Sequence, residues 1–251
     1  MAAWQDLFDE FDRWQGCGQI ATLWWRDDDA TRSSPELMRL LNLGAEQDIP
    51  VALAVIPRDV DGSLHALLGE YPRAAVLQHG WSHENHAPGD ERQEEHGPHR
   101  PQAVMLGELA EGWRRIAAMP RALPVLVAPW NRVDPGLLLR LPNVGLAGVS
   151  TLGPREAAEP VPGVRRTNVH VDIMDWHGGC GFVGDGNALD QVLRHLVARR
   201  TDAADPAEPT GLMTHHLYHD KGCWQFMEAF LRQTRAHPAV RWLDARDAFW
   251  P

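Results

Sequence analysis

The feature that constrains the fold most is a regular alternation of short apolar runs with amphipathic segments along the 251 residues. The apolar runs have the length of buried strands, and the segments between them have helical spacing. Strands that alternate with helices pair in parallel through right-handed crossovers. The sequence therefore predicts one α/β domain over residues 1–251, a distorted (β/α) barrel of six to eight largely parallel strands.

The same patterns predict the individual elements. An N-terminal helix is expected within residues 1–18, because large apolar side chains recur there at helical spacing. Further helices are predicted at 35–48, 63–71, 101–119, 187–200 and 224–235. Strands are predicted at 20–25, 50–57, 74–80, 124–129, 146–150, 167–176, 210–216 and 240–245.

Composition excludes several classes of protein. The net charge of -10 argues against a surface that binds nucleic-acid phosphates or anionic lipid. Three cysteines without a CxxC pair argue against a disulfide framework or a cysteine-based zinc site. The sequence has no apolar run of membrane-spanning length, and its acidic start does not resemble a signal peptide. We therefore expect a cytoplasmic protein with no transmembrane segment and no nucleic-acid partner.

Polar residues with catalytic chemistry follow the predicted strands. Active sites of α/β barrels lie at the carboxyl ends of the strands, so these residues are expected to form one site. They are Asp27, Asp28 and Asp29, then His79 and His83, then Pro129 to Asn131, then Asp172, Asp175 and Trp176, and finally His215 and His216.

Two of these groups have the chemistry of a metal site. Three adjacent carboxylates repel one another unless a cation neutralises them, although they could also form an acidic first turn before the next helix. His79 and His83 are four residues apart and can converge on one ion. Two histidines and one acid leave coordination positions open, as in a catalytic zinc site. His86, His96 and His99 lie in a polar loop and are expected to be solvated.

Side-chain alternation limits the other two groups. Asp172 and Asp175 lie on opposite faces if the strand is regular, so only one of them is expected to face the site. His215 and His216 are adjacent, and at most one of them points to the centre.

Taken in order, these residues resemble the polysaccharide deacetylase family, also called the NodB-homology domain or carbohydrate esterase family four. The family motifs are TFDDG, H[ST]xxH, RxPY, DxxDW and LxxH. The matching segments here are RDDDA at 26–30, HGWSH at 79–83, VAPW at 127–130, DIMDW at 172–176 and LMTH at 212–215.

The resemblance implies a role for each matched residue. Asp29, His79 and His83 would bind one divalent metal ion, with zinc as the default. Asp28 would be the general base, although a register shifted by one would make Asp27 the base and Asp28 the ligand. His215 would be the general acid, oriented by Asp175. Trp81, Pro129, Trp130, Asn131 and Trp176 would line the substrate site.

One departure from the family pattern concerns the base. The arginine that pairs with the base in the family corresponds to Val127 here. Arg26, Arg132 or Arg166 could replace it, and Arg166 is favoured because it precedes a motif-bearing strand.

The resemblance implies a metal-dependent hydrolase of amide C–N bonds. The first reading is removal of an acetyl group from an N-acetylated sugar or glycan, so the partner would be a small-molecule or oligosaccharide substrate. Two alternatives stay open. One is hydrolysis of a small linear or cyclic amide, and the other is a non-catalytic domain that binds metal or glycan.

Overall fold

The computed structural model describes all 251 residues as one α/β domain. Its helices are α1 Trp4–Gly16, α2 Pro35–Glu46, α3 Gly62–Gly69, α4 Gln102–Ile116, α5 Pro135–Leu138, α6 Asp185–Arg200, α7 Lys221–Ala236 and α8 Ala245–Phe249. Its strands are β1 Ala21–Ala30, β2 Val51–Val55, β3 Ala74–His79, β4 Ala122–Val127, β5 Gly148–Ser150, β6 Arg165–Arg166, β7 Val171–Asp172, β8 Met174–Asp175, β9 Gly181–Phe182, β10 Thr210–Thr214 and β11 Val240–Trp242.

Nine of the strands form one parallel sheet in the order β6-β5-β4-β3-β2-β1-β10-β7, with β11 also paired to β1. Residues 165–172 connect the two edges of this sheet, because β6 pairs with β5 and β7 pairs with β10. A bridge between Leu152 and Val169 lies midway along this segment. The predicted distorted barrel of parallel strands is confirmed.

The core lies on both faces of the sheet. The larger cluster of 38 buried side chains joins α1, α2, α6 and α7 to strands β1, β2 and β10. The central strand β2 is buried at every position, which explains why its sequence is a continuous apolar run rather than an alternating one. No helix is both long enough and apolar enough to cross a membrane.

Two predicted strands differ from the structure. The first was predicted to end at residue 25, but β1 continues to Ala30 because Arg26, Asp27 and Asp28 are buried and each has a polar partner. The strand predicted at 167–176 is interrupted. It consists of β7 and β8, and β8 leaves the main sheet to form an antiparallel hairpin with β9.

Candidate active site

An irregular backbone at the carboxyl end of β1 directs three adjacent carboxylates to different partners. The pairing of β1 with β2 shifts register between Asp27 and Ala30, and Asp29 has a left-handed backbone with φ 71°. A non-glycine residue in this region is strained, and such strain is concentrated at functional sites. As a consequence Asp27, Asp28 and Asp29 each contact a different set of partners.

Asp29 lies against both histidines of the HGWSH segment. Its Oδ1 is 3.2 Å from Nε2 of His79 and 3.6 Å from Nε2 of His83. This Oδ1 atom is buried and accepts no hydrogen bond, which is costly for a carboxylate. The ligand atoms of the three residues all lie within 4.8 Å of one another.

The orientation of the two imidazoles suits a shared cation. Nδ1 of His79 donates to the carbonyl oxygen of Val127 at 3.1 Å, so its Nε2 presents a lone pair toward Asp29. The ring planes of His79 and His83 are inclined at 56°, so that in-plane lone pairs of both rings can meet at one point. The donor set of two imidazoles and one carboxylate is one that binds zinc.

The electrostatics of this group agree with that donor set. Burial opposes ionisation of Asp29, but the His79 imidazole 3.2 Å away outweighs it, together with the charges of His215 and His83, and holds the pKa of Asp29 well below its usual range. Burial and the neighbouring His79 lower the pKa of His83. Burial of His79 is outweighed by Asp29 and Asp28, which raise the pKa of His79. A bound cation would displace the proton of His79, because metal ligation requires the neutral ring.

Asp28 is fixed by Arg26. The guanidinium donates in a fork to both carboxylate oxygens at 2.8 Å, and Arg26 is fully buried. Ser150 Oγ at 2.8 Å and Asn131 Oδ1 at 2.9 Å accept its other N–H groups. On its other side, Asp28 Oδ2 is 4.0 Å from Nε2 of His215.

The arginine beside Asp28 is therefore Arg26, and the preference for Arg166 is wrong. The charges that act on Arg166 come from Glu156 and Glu208, and burial lowers the pKa of this arginine. Arg132 donates to the carbonyl oxygen of Gln93. A signal for Arg26 was available in the sequence, since residues i and i+2 of a strand share a face.

Asp27 belongs to a separate buried pair. Its carboxylate accepts hydrogen bonds from Thr214 Oγ1 at 2.6 Å, from the backbone N–H of His216 at 3.1 Å and from the His216 ring. Burial of His216 is outweighed by Asp27, which raises the pKa of His216. This geometry favours the register with Asp28 and Asp29 at the site, because Asp27 is used to anchor the end of β10.

His215 contacts the aromatic residue of the DIMDW segment. The Trp176 ring lies edge-on to the His215 ring at a centroid distance of 4.7 Å. The indole N–H of Trp176 donates to Asp172 Oδ2 at 2.8 Å. Burial raises the pKa of Asp172, whereas the charge of His215 opposes that rise.

The expected contact between Asp175 and His215 is absent. Asp175 Oδ1 instead accepts the backbone N–H groups of His177 at 3.1 Å and Gly178 at 2.8 Å. The physical reason is the hairpin of β8 and β9, whose turn begins at Asp175 and whose N–H groups need an acceptor. Asp172 is the carboxylate that reaches the Trp176 side of the site.

The expected substrate-lining residues divide into three sets. Trp130 packs on His83 at 4.2 Å and Trp176 is 38% exposed, so both flank the candidate site. Trp81 has its ring under the guanidinium of Arg115 on α4. Pro129 is buried, and Asn131 accepts a hydrogen bond from Arg26, so these two residues support the site rather than line it.

Three further residues were missed by the sequence reasoning. Tyr218 is 48% exposed, with its ring 5.4 Å from that of Trp176, and it follows His215 by only three positions. Glu95 and His96 are fully buried, although the loop around them reads as polar. The prediction that His96 is solvated is wrong, and burial lowers the pKa of His96 to about 4.

A second group of two histidines and one acid lies beside the start of β10. His170 Nε2 is 3.3 Å and His195 Nε2 is 3.9 Å from Oε2 of Glu208, and all three side chains are buried. The Glu208 carboxylate accepts the backbone N–H groups of Arg155 at 2.8 Å and Asn168 at 3.0 Å. No sequence motif predicted this group.

Comparison with known proteins identifies the fold. No family model and no curated protein matches the sequence, but solved structures match over most of its length. A protein from Mycobacterium smegmatis described as a polysaccharide deacetylase matches with a TM-score of 0.57 at 14% identity, covering 92% of this chain and 90% of that chain. The fold is that of the polysaccharide deacetylases.

Two other structures extend this likeness. A mutant of a peptidoglycan deacetylase from Bacillus subtilis has a TM-score of 0.53 at 10% identity, covering 92% of this chain and 90% of that chain. A mutant of a CE4 family pseudoenzyme with restored enzymatic activity has a TM-score of 0.60 at 12% identity, covering 92% of this chain and 68% of that chain. The resemblance found in the five sequence segments is thus confirmed at the level of the fold.

Proposed function

We propose that this protein is a metal-dependent hydrolase that cleaves an amide C–N bond, removing the acetyl group from an N-acetylated sugar or glycan. The observation that supports this proposal most is Oδ1 of Asp29, a buried carboxylate oxygen without a hydrogen-bond donor, placed against two imidazole nitrogens. An arginine-fixed carboxylate and a further histidine lie at the same edge of the sheet.

Asp29, His79 and His83 would hold the divalent ion, which we propose to be zinc. When bound, such an ion supplies Lewis-acid polarisation and makes water a better nucleophile at neutral pH. The remaining steps belong to the side chains of this chain.

Asp28 is the proposed general base. It takes a proton from the attacking water as the new C–O bond forms at the acetyl carbon. The fork from Arg26 fixes the carboxylate plane, so the base does not have to be ordered during the reaction. Ser150 and Asn131 in turn hold Arg26 in place.

His215 is the proposed general acid. It donates a proton to the amide nitrogen as the C–N bond breaks, releasing a free amine and acetate. The 4.0 Å between His215 Nε2 and Asp28 Oδ2 brings acid and base to the same reacting group. Trp176 restricts the His215 ring from its edge, and Asp172 fixes Trp176 through the indole N–H.

The experiment that tests this function is acetate release by zinc-loaded protein from N-acetylglucosamine and its oligomers, with and without a chelator. Activity should need the metal, and Asp28→Asn should lower kcat by roughly 10²- to 10⁴-fold while the metal stays bound. Asp9→Asn on the exposed side of α1 is the matched control and should keep full activity.

Other outcomes of that assay would overturn parts of the proposal. Equal activity of Asp28→Asn and the unmodified protein would remove Asp28 as base. Hydrolysis of small linear or cyclic amides, but not of N-acetylated sugars, would keep the proposed chemistry and change the substrate class. A metal-loaded protein without any hydrolytic activity would be a binding domain.

A further inference from the structure

The segment that carries both proposed histidine ligands has an unusual backbone. Gly80 and His83 have left-handed conformations, with φ of 54° and 57° respectively. For His83 this conformation is strained and persists only where surrounding contacts impose it. The positions of both imidazoles therefore depend on whatever holds residues 79–83.

Glu95 makes the contacts that hold this segment. Its Oε1 accepts the backbone N–H of Ser82 at 2.7 Å and the Ser82 hydroxyl at 3.0 Å. The backbone N–H of Trp81 lies 3.2 Å from Oε1 and 3.3 Å from Oε2. Both oxygens thus face the middle of the segment between His79 and His83.

The Glu95 carboxylate is fully buried and has no arginine, lysine or histidine as an ion-pair partner. Arg100, five residues away, directs its guanidinium to Glu108 and to the backbone oxygen of Glu95. A buried carboxylate without a cation is retained only where N–H and O–H donors compensate its lost hydration. Here those donors come from Trp81 and Ser82.

Packing at Gly80 shows how closely Glu95 fits. A Cβ atom at this position would collide with Oε2 of Glu95 and with the ring of Pro129. Gln78 also contacts this turn, since its side-chain amide donates to the carbonyl oxygen of Gly80 at 3.0 Å. The turn is therefore held by hydrogen bonds to both Gln78 and Glu95.

We propose that Glu95 is a positioning residue for the metal site, fixing the turn between His79 and His83 so that both imidazoles face Asp29. This inference rests on the proposed function, because it assumes that the two histidines bind the ion. Residues that orient ligands typically change metal affinity by 10- to 100-fold when they are replaced.

The test is zinc affinity of the apo-protein, measured in competition with a chromophoric chelator. Glu95→Gln keeps the volume of the side chain but removes the negative charge that the donors of Trp81 and Ser82 compensate. With the amide oxygen in the place of Oε1, it also sets an NH₂ group against the backbone N–H of Trp81. We expect its zinc affinity to fall by about 10- to 100-fold. Glu91→Gln is the matched control in the same loop, and its zinc affinity should equal that of the unmodified protein.

A spectrum separates positioning from a general loss of stability. The visible absorption of bound Co²⁺ depends on ligand geometry, so Glu95→Gln should change this spectrum whereas Glu91→Gln should not. If Glu95→Gln does not fold, Ser82→Ala decides the question, because it removes one donor to Glu95 and should weaken zinc binding a few-fold.

The outcomes distinguish this inference from the proposed function. Unchanged zinc affinity and Co²⁺ spectrum in folded Glu95→Gln would overturn the role of Glu95, provided that His79→Ala abolishes binding. If Glu95→Gln does not fold, unchanged zinc affinity in Ser82→Ala would overturn the role of Glu95. Zinc affinity that survives both His79→Ala and His83→Ala would overturn the metal site itself, and this inference with it.

Discussion

Two groups of two histidines and one acid look alike by distance alone: one lies at the carboxyl ends of β1 and β3, and the other lies beside the start of β10. In the first, Asp29 Oδ1 lies 3.2 and 3.6 Å from the histidine nitrogens, and in the second, Glu208 Oε2 lies 3.3 and 3.9 Å away. Their hydrogen bonds and ring orientations differ, and these decide which of them suits a metal ion.

Ring orientation separates the two groups first. His170 and His195 are stacked, with centroids 3.3 Å apart and planes inclined by only 13°. In-plane lone pairs of two stacked rings run side by side, so an ion bonded to both nitrogens would lie well out of at least one ring plane. The 56° between His79 and His83 imposes no such conflict.

The tautomers differ as well. His79 donates from Nδ1 to a carbonyl oxygen, which leaves Nε2 free to bind an ion. His170 accepts the backbone N–H of Gly211 at Nδ1, so its remaining ring proton is on Nε2, beside Glu208. The first group is thus arranged to take a cation. In the second group the Glu208 carboxylate already accepts two backbone N–H groups, although Nε2 of His170 and Nε2 of His195 are buried without a hydrogen-bond partner.

Substitutions in the first group should have the largest effect and test this comparison most strongly. His79→Ala should lower zinc affinity by more than the roughly 100-fold expected for a supporting residue, and hydrolysis should fall with it. Asp29→Asn should do the same, because it removes the negative charge that both imidazoles face. Zinc titration and acetate release measure the two effects; a variant of either residue that binds zinc as tightly as the unmodified protein would contradict this assignment.

The second group should respond in the opposite way. Glu208→Gln sets an amide NH₂ against buried backbone donors, so the free energy of unfolding should fall by about 1–3 kcal/mol. Zinc affinity should not change. Glu156→Gln, at an exposed position nearby, should stay within about 0.5 kcal/mol of the unmodified protein. Zinc binding that is lost in Glu208→Gln would show that the two groups had been assigned wrongly.

The smallest effect is a pH dependence of stability. Burial lowers the pKa of His170 and, together with repulsion from His170 when that ring is protonated, brings the pKa of His195 to about 2. Folding therefore disfavours the protonated form of both rings, whereas both bind protons below about pH 6.5 when the chain is unfolded. The contribution of these neutral rings to the free energy of unfolding is therefore complete above pH 6.5. It is lost as pH falls toward the folded pKa, by up to about 1.4 kcal/mol per pH unit for each histidine.

His195→Asn should reduce this slope between pH 6 and 4, as measured by urea unfolding of the apo-protein at several pH values. His65→Asn, on the exposed side of α3, should leave the slope unchanged. An identical slope in His195→Asn and the unmodified protein would mean that His195 is protonated in the folded state.

The alternation of strands and helices predicted the fold and the meeting of an aspartate from 27–29 with His79 and His83, because it brings strand ends to one edge. The choice of Asp29 among the three came from the family resemblance. It did not predict Arg26 as the partner of Asp28, although their spacing of two residues places them on one face of β1. Asp175 was assigned to His215 by resemblance, but the glycines that follow it form a turn that uses its carboxylate.

Glu95 and Glu208 were beyond reach of the sequence for a different reason. Both lie in irregular segments, where no periodicity distinguishes a buried acid from a solvated one. Their burial follows from contacts with residues distant along the chain, such as Ser82 for Glu95 and Asn168 for Glu208. Such contacts become visible only in the folded structure.

The central claim is tested most directly by anomalous diffraction from crystals of the protein grown with zinc. The structure predicts one peak per chain, within bonding distance of Asp29, His79 and His83, and none between the stacked rings and Glu208. A peak at the second group, or none at the first, would contradict this account.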